Sequence, residues 1–187
     1  MIPNLITILR LFLVPVSVML IVMHEWQAAF LAFVLAGLSD AADGLIARHF
    51  DMKTELGAYL DPIADKTLLV SSFITLSIIG EVPAWLTIAV VFRDLLIVGA
   101  VILCWVLEKP IPIRPLMISK INTTVQLLFI GAILGTHAYG SGLAVPMVDS
   151  WERSAALLVA GLTLASALAY LAQWLRHLGP DEHEDLF

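Results

Sequence analysis

Four aspartates are the residues of this sequence best suited to chemistry. Asp40 and Asp43 lie in one apolar segment, and Asp61 and Asp65 lie at the start of the next. On helices, spacings of three and four residues place each pair on one face, about one turn apart. Carboxylate oxygens are the ligands that hard divalent cations such as Mg²⁺ or Mn²⁺ prefer. Two such faces at a helix–helix contact therefore predict a site for two divalent cations.

A competing interpretation treats these carboxylates as helix caps or solvated charges. Asp61 precedes Pro62, and an N-cap aspartate followed by proline at the first helical position gives the same pair. That interpretation covers one aspartate of the four. An ionisable group at the centre of a membrane helix costs about 2.5–3.5 kcal/mol and by default marks function. The set of four therefore favours the metal site.

The composition excludes an ordinary soluble domain. The chain has 187 residues, of which 60% are hydrophobic and 14% charged, and its mean hydropathy is +0.94. These values are typical of a multi-pass membrane protein. The formal net charge of −6 gives no indication of a nucleic-acid partner. The one cysteine, Cys104, excludes an intrachain disulfide.

Six apolar windows are each long enough to cross a bilayer. Turn and charged residues separate them, and no cleavage site follows the first window, which favours a retained helix over a signal peptide. The predicted fold is all-α, a polytopic bundle of six transmembrane helices in one domain over residues 1–179, with a short acidic tail at 180–187. The windows are 5–23, 28–47, 60–79, 85–107, 118–137 and 154–175.

The distribution of lysine and arginine predicts the orientation of this bundle. Arg48 and Lys53 lie in the second connection, and Lys109 and Arg114 lie in the fourth. The first and third connections contain neither residue type. By the positive-inside rule both termini are cytoplasmic, and the aspartates face the cytoplasm.

The aspartates belong to a longer pattern that resembles the signature of the CDP-alcohol phosphatidyltransferases at every position. Members of that family are integral membrane enzymes that transfer a phosphatidyl or similar group from a CDP-linked donor to an alcohol and release CMP. The resemblance implies that Asp40, Asp43 and Asp61 ligate two Mg²⁺ or Mn²⁺ ions. It implies that Asp65 both approaches a metal and takes the proton of the acceptor hydroxyl. The pattern is Asp40-x2-Asp43-Gly44-x2-Ala47-Arg48-x8-Gly57-x3-Asp61-x3-Asp65.

The donor, CDP-diacylglycerol, is expected to contact residues on both sides of the aspartates. Gly44 fits a close approach of cytidine or, equally, of a neighbouring helix. Arg48 can reach the diphosphate or extend to the membrane interface. A polar stripe in the first span, formed by Asn4, Thr7 and Arg10, either closes the nucleotide pocket or lies at the membrane interface. The expected donor-binding residues are Asn4, Thr7, Gly44, Arg48, Thr54 and Gly57.

The acceptor is expected to contact four basic residues: Arg10, Arg93, Arg114 and Lys120. Arg93 lies inside the fourth span, where it either binds an acceptor phosphate or only pairs with Asp94. Lys120 begins a polar stretch in the fifth span, and the alternative for it is an interfacial cation.

Within the family, segments 2–10, 92–94 and 118–126 look like those of the eukaryotic-type, CMP-forming cardiolipin synthases. The resemblance implies phosphatidylglycerol as acceptor and a homodimer. The expected location is the bacterial inner membrane. Phosphatidylglycerophosphate synthases share the signature, so glycerol 3-phosphate is the alternative acceptor. Both acceptors present a phosphate and a primary hydroxyl, and the residue chemistry does not separate them.

Intramembrane aspartates also line ion paths, which keeps a divalent-cation transporter as an alternative of another class. A path would distribute polar groups over the depth of the bilayer, whereas here they concentrate at the predicted cytoplasmic ends. An inactive scaffold is a third alternative, which the intact signature disfavours.

Overall fold

Six α-helices make up the part of the chain that the structure, a computed structural model, describes. The backbone is described for residues 2–50, 55–106, 117–140 and 148–178, and the side chains for 12–39, 66–99, 117–140 and 151–174. No strand occurs within these ranges. The prediction of an all-α fold with six helices is confirmed. The helices are α1 (Ile2–Val22), α2 (Trp26–Phe50), α3 (Glu55–Ile78), α4 (Ala84–Val106), α5 (Met117–Tyr139) and α6 (Val148–Leu178).

The link between α3 and α4 is a helix C-cap built around Gly80. Gly80 has a φ of 90°, a left-handed conformation that glycine adopts without a Cβ penalty. Its N–H donates to the Ser77 carbonyl at 3.2 Å, and the Glu81 N–H donates to the Leu76 carbonyl at 2.9 Å. These two bonds form a Schellman motif, which satisfies carbonyls at the end of α3. The chain can therefore reverse within a few residues and start α4.

The helices α3 and α5 connect the two sides of the bundle. Helix α1 packs against α2 and α3, α2 packs against α5, and α6 packs against α4 and α5. Helix α3 also contacts α4 and α5. The rings of Phe73 on α3 and Phe129 on α5 stack with centroids 6.2 Å apart, and both side chains are buried. The buried apolar cluster takes residues from all six helices, and α2, α3 and α5 supply most of them.

Two glycines of α5 let α2 approach closely. A Cβ built on Gly135 would lie 3.2 Å from the ring of Phe30, and one on Gly131 would lie 3.7 Å from the ring of Phe33. The absence of a side chain at Gly135 gives the ring of Phe30 its space, whereas a Cβ at Gly131 would make an ordinary van der Waals contact with Phe33. The spacing of these glycines in the sequence therefore corresponds to a helix contact between α2 and α5.

Two helices among the described residues are long and apolar enough to cross a membrane. These are Met117–Tyr139 and Trp151–Trp174, with mean hydropathies of 1.5 and 2.0. Large apolar side chains also lie on the outer faces of the other helices, among them Phe12, Ile78 and Phe92. Together with the mean hydropathy of the chain, these features indicate a membrane protein. The full set of six spans stays a prediction.

Candidate functional site

The backbone places the four aspartates as two helical pairs. Asp40 and Asp43 lie on α2, and Asp61 and Asp65 lie on α3, so the helical periodicity assumed for each pair is present. Both helices pack against α1. The four side chains lie outside the described residues, and the described side chains include no group of three or more His, Cys, Asp or Glu that could hold a metal. The metal-ligand set stays a prediction.

The start of α3 excludes the N-cap interpretation of Asp61. Helix α3 begins at Glu55, and Asp61 lies 61 − 55 = 6 residues further along. An N-cap residue precedes the first helical residue, so Asp61 is not the cap of this helix. Asp61 therefore lies inside α3 and not at its N-terminal end.

The other predicted residues are distributed over the first three helices and two regions outside the description. Asn4, Thr7 and Arg10 fall on α1, Gly44 and Arg48 on α2, and Gly57 on α3. The side chains of these residues lie outside the described set, and Thr54 and Arg114 lie outside it entirely. Their binding roles stay predictions.

A cavity of about 420 Å³ lies beside the aspartate-bearing turns. It is bounded by residues of α2, α3, α4 and α5. On α2 it reaches Gly37, three residues before Asp40, and on α3 it reaches Lys66, which directly follows Asp65. Its polar side chains are Lys66, Asp94, Ser119, Lys120, Thr123, Thr124 and Gln126. Cations and hydroxyls of this kind can bind a phosphorylated, hydroxylated molecule.

Lys120, an expected acceptor contact, lies on the wall of this cavity and is exposed. Thr124 is also exposed, and its hydroxyl donates to the Lys120 carbonyl at 3.0 Å. The cavity thus has one predicted acceptor residue on its wall, together with Gly37 and Lys66, which lie within one helical turn of predicted metal ligands in the sequence.

Arg93, a second expected acceptor contact, is buried between three helices, with 3% of its surface exposed. Its Nη1 donates to Asp94 Oδ1 at 2.6 Å, and its Nη2 donates to Ser119 Oγ at 2.5 Å. Nε and Nη2 also donate to Ser166 Oγ, at 3.2 and 2.7 Å. The guanidinium carbon lies 5.9 Å from the ring centroid of Tyr170. The pairing with Asp94 that the sequence left open is present, and Arg93 links α4 to α5 and α6.

A buried polar chain of three side chains joins α5 to α6. Gln126 Nε2 donates to Thr163 Oγ1 at 3.1 Å, and that hydroxyl donates to Asn122 Oδ1 at 3.1 Å. All three residues are buried, and Asn122 Nδ2 has no hydrogen-bond partner among the described residues. Asn122 and Gln126 belong to the polar stretch of the fifth span that begins at Lys120, an expected acceptor contact. The structure shows that Asn122 and Gln126 bond to α6 instead, although Gln126 also lines the cavity.

Thr163 and Ser166 were missed by the sequence analysis. They lie three residues apart on α6, where they share a face. Their spacing on an apolar helix was the available signal. The partner of Ser166 is 73 residues away, and the partners of Thr163 are 41 and 37 residues away, so no local sequence pattern links these residues to their partners.

Comparison with known proteins identifies the family. The CDP-alcohol phosphatidyltransferase family matches residues 1–175. The chain belongs to this family. The resemblance drawn from the aspartate pattern is therefore confirmed, and the family assignment gives no support to the transporter alternative.

Relatives within the family carry the names of different activities. The chain is 33% identical over 185 residues to "Cardiolipin synthase (CMP-forming)" of Rattus norvegicus, covering 90% of this chain and 60% of that protein. It is also 33% identical over 185 residues to a "Probable phosphatidylglycerophosphate synthase" of Mycobacterium tuberculosis, covering 94% and 82%. A chloroplastic "CDP-diacylglycerol--glycerol-3-phosphate 3-phosphatidyltransferase 1" of Oryza sativa is 33% identical over 190 residues, covering 90% and 55%. The chain thus spans about 60% of the length of the cardiolipin synthase.

Proposed function

We propose that this chain transfers a phosphatidyl group from CDP-diacylglycerol to phosphatidylglycerol, giving cardiolipin and CMP. The observation that carries the proposal is the cavity of about 420 Å³ with lysines and hydroxyls on its wall, beside the helical turns that bear the four aspartates. An acceptor in this cavity would lie next to the group that must receive its proton. The similarity to CMP-forming cardiolipin synthases over 90% of the chain supports phosphatidylglycerol as that acceptor.

The donor set fits two divalent cations, Mg²⁺ or Mn²⁺. Four carboxylates on two helices, spaced by three and four residues, supply the oxygen ligands that these ions prefer. Asp40, Asp43, Asp61 and Asp65 would hold the ions. Such cations, when bound, neutralise the charge of the diphosphate and polarise phosphorus.

The residues of the chain then bind, orient and deprotonate the substrates. Asp65 accepts the proton of the acceptor hydroxyl, whose oxygen forms a bond to the phosphorus bearing diacylglycerol as the bond to CMP breaks. Lys120 binds the acceptor phosphate from α5, and Arg10, Arg93 and Arg114 serve the same acceptor. The donor contacts are Asn4, Thr7, Gly44, Arg48, Thr54 and Gly57.

The proposed setting is a multi-pass protein of the bacterial inner membrane with six spans and both termini in the cytoplasm. The positions of lysine and arginine in the sequence support this orientation. The reaction site then opens to the cytoplasm, where a water-soluble nucleotide and a membrane lipid can meet. We propose a homodimer, as the family resemblance implies.

A purified sample in detergent with Mn²⁺ or Mg²⁺ tests the proposal directly. CDP-diacylglycerol is offered with phosphatidylglycerol or with glycerol 3-phosphate, and CMP and the lipid products are resolved. We expect CMP and cardiolipin with phosphatidylglycerol, and complete loss of turnover on removal of the divalent cation by chelation. Asp65→Asn should abolish transfer while donor binding remains measurable. Full activity of that variant would refute the role of Asp65 as base.

Phosphatidylglycerophosphate synthesis is the second candidate function. The match to the Mycobacterium tuberculosis relative covers 82% of that protein, against 60% of the rat cardiolipin synthase. A lipid product with glycerol 3-phosphate alone would select this function. Release of CMP with neither acceptor would contradict both functions.

A further inference from the structure

Lys66, which the sequence analysis did not select, lies on the cavity wall near Asp94, and the carboxylate of Asp94 is already paired with Arg93. Its Nζ is 3.7 Å from Asp94 Oδ1, which is longer than a hydrogen bond. The same oxygen accepts a hydrogen bond of 2.6 Å from Arg93 Nη1. Arg93 is therefore the close partner of Asp94, and Lys66 is the more distant one.

Exposure separates the two cations near Asp94. The Lys66 side chain is 43% exposed, whereas the Arg93 side chain is 4% exposed. Lys66 lines the cavity, and Arg93 does not. The guanidinium also donates to Ser119, which lines the cavity, and to Ser166 on α6. Arg93 thus donates hydrogen bonds to Asp94 and Ser119, two residues of the cavity wall, without lining the cavity itself. Of the two cations near Asp94, Lys66 is the one that a molecule in the cavity can reach.

Lysine ammonium groups predominate among the described charged side chains on the cavity wall. Lys66 and Lys120 are the cations there, and Asp94 is the carboxylate, which pairs with Arg93 outside the wall. A concave wall with an excess of ammonium groups favours an anion, and phosphate oxygens accept hydrogen bonds from lysine as a point charge. The hydroxyls of Ser119, Thr123 and Thr124 on the same wall suit a ligand that also carries hydroxyl groups.

We propose that Lys66 binds the phosphate of the acceptor together with Lys120, and that Arg93 and Asp94 are positioning residues that set the place of Lys66. This inference rests on the proposed function. In this arrangement the buried Arg93 affects binding of the acceptor through the position of Lys66 and does not contact the acceptor. Because Lys66 directly follows Asp65 on α3, a phosphate held by Lys66 lies close to the turn that carries the proposed base.

Substitution of Lys66 tests the binding role. Lys66→Gln should raise the KM for the acceptor by about tenfold or more, because it removes a charge-assisted hydrogen bond. The KM for CDP-diacylglycerol should stay within about twofold of the parent value, and Lys66→Arg, which keeps the charge, should recover most of the acceptor affinity. The matched control is Arg153→Gln on α6, because Arg153 is exposed and does not line the cavity. An unchanged acceptor KM in Lys66→Gln would overturn the proposal.

A double variant tests the positioning role. Asp94→Asn should raise the acceptor KM, but by less than Lys66→Gln does. Its effect on kcat should be smaller than its effect on the acceptor KM. If Asp94 acts through Lys66, the combination of both substitutions should raise KM no further than Lys66→Gln alone. Additive effects would show that Asp94 acts independently of Lys66 and would overturn this part of the proposal.

Direct titration separates this inference from the proposed reaction. Short-chain phosphatidylglycerol and glycerol 3-phosphate are each titrated calorimetrically into the parent protein and into Lys66→Gln, without donor. Binding of either ligand that is lost in Lys66→Gln supports the phosphate site even if no CMP is released. Binding that is equal in both proteins, or absent from the parent, overturns it. Failure to release CMP from CDP-diacylglycerol would contradict the proposed function alone.

Discussion

Replacing Thr163 by valine removes the central hydroxyl of the buried chain between α5 and α6 and keeps the shape of the side chain. Thr163 is 2% exposed, so water cannot replace the lost group. Gln126 Nε2 then loses its acceptor, and Asn122 Oδ1 loses its donor. Since Asn122 Nδ2 already lacks a partner among the described residues, the variant leaves Asn122 poorly satisfied at both polar atoms.

The expected cost follows from the two orphaned groups. A buried polar group without a partner costs about 1–3 kcal/mol, whereas hydrogen bonds between membrane helices average about 0.6 kcal/mol with a maximum near 1.7 kcal/mol. We therefore expect Thr163→Val to lower the free energy of unfolding by about 1–3 kcal/mol. For a chain of this size each kcal/mol corresponds to a Tm lower by about 2–4 °C.

Thermal unfolding in detergent, followed by circular dichroism at one scan rate, measures this change. The matched control is Thr136→Val, because the Thr136 hydroxyl donates to the Ile133 carbonyl of its own helix at 2.8 Å. The control should change the free energy of unfolding by about 0.5 kcal/mol or less. The combination of Asn122→Leu, Gln126→Leu and Thr163→Val should recover part of the loss, because it removes every polar side-chain group of this three-residue chain and leaves none of them unpaired. Equal Tm values for Thr163→Val and Thr136→Val would refute the reasoning.

Two further stability predictions concern the contacts of α6 and α5. Gly135→Leu should cost about 1–3 kcal/mol by overpacking, because its Cβ would lie 3.2 Å from an aromatic ring of α2. Gly161→Leu is the control, because no atom lies within 4 Å of a Cβ built on Gly161. It should leave the free energy of unfolding unchanged or raise it by up to about 1 kcal/mol. Equal effects of the two substitutions would exclude a close contact between Gly135 and α2. Ser166→Ala should cost about 1–3 kcal/mol, because it removes the acceptor of two Arg93 donors. Ser71→Ala is the control, since Ser71 bonds within its own helix, and a Tm loss no larger than that of this control would contradict the role of Ser166.

The sequence by itself determined the helices and the family. An apolar run of about 20 residues can satisfy its backbone hydrogen bonds as a helix without distant partners, so six such runs predicted six helices. The aspartate signature occupies residues 40–65 in unbroken order, and its spacing was enough to identify the family that the comparison confirmed. The metal ligands, the donor contacts and the homodimer stay predictions, because their side chains or partners lie outside the described part of the structure.

Tertiary structure decided where the polar groups of the later helices point. The sequence allowed Arg93 either a substrate phosphate or Asp94, and the fold also brought Ser119 and Ser166 to the same guanidinium. Lys66 carried no distinguishing signal, because a lysine after an aspartate is common at a helix surface, yet the packing of α3 against α4 and α5 places it on the cavity wall. Helical periodicity is a local property of the chain. The choice of partner for a buried charge depends instead on which helices pack together, and those contacts join residues 26 and 73 positions apart.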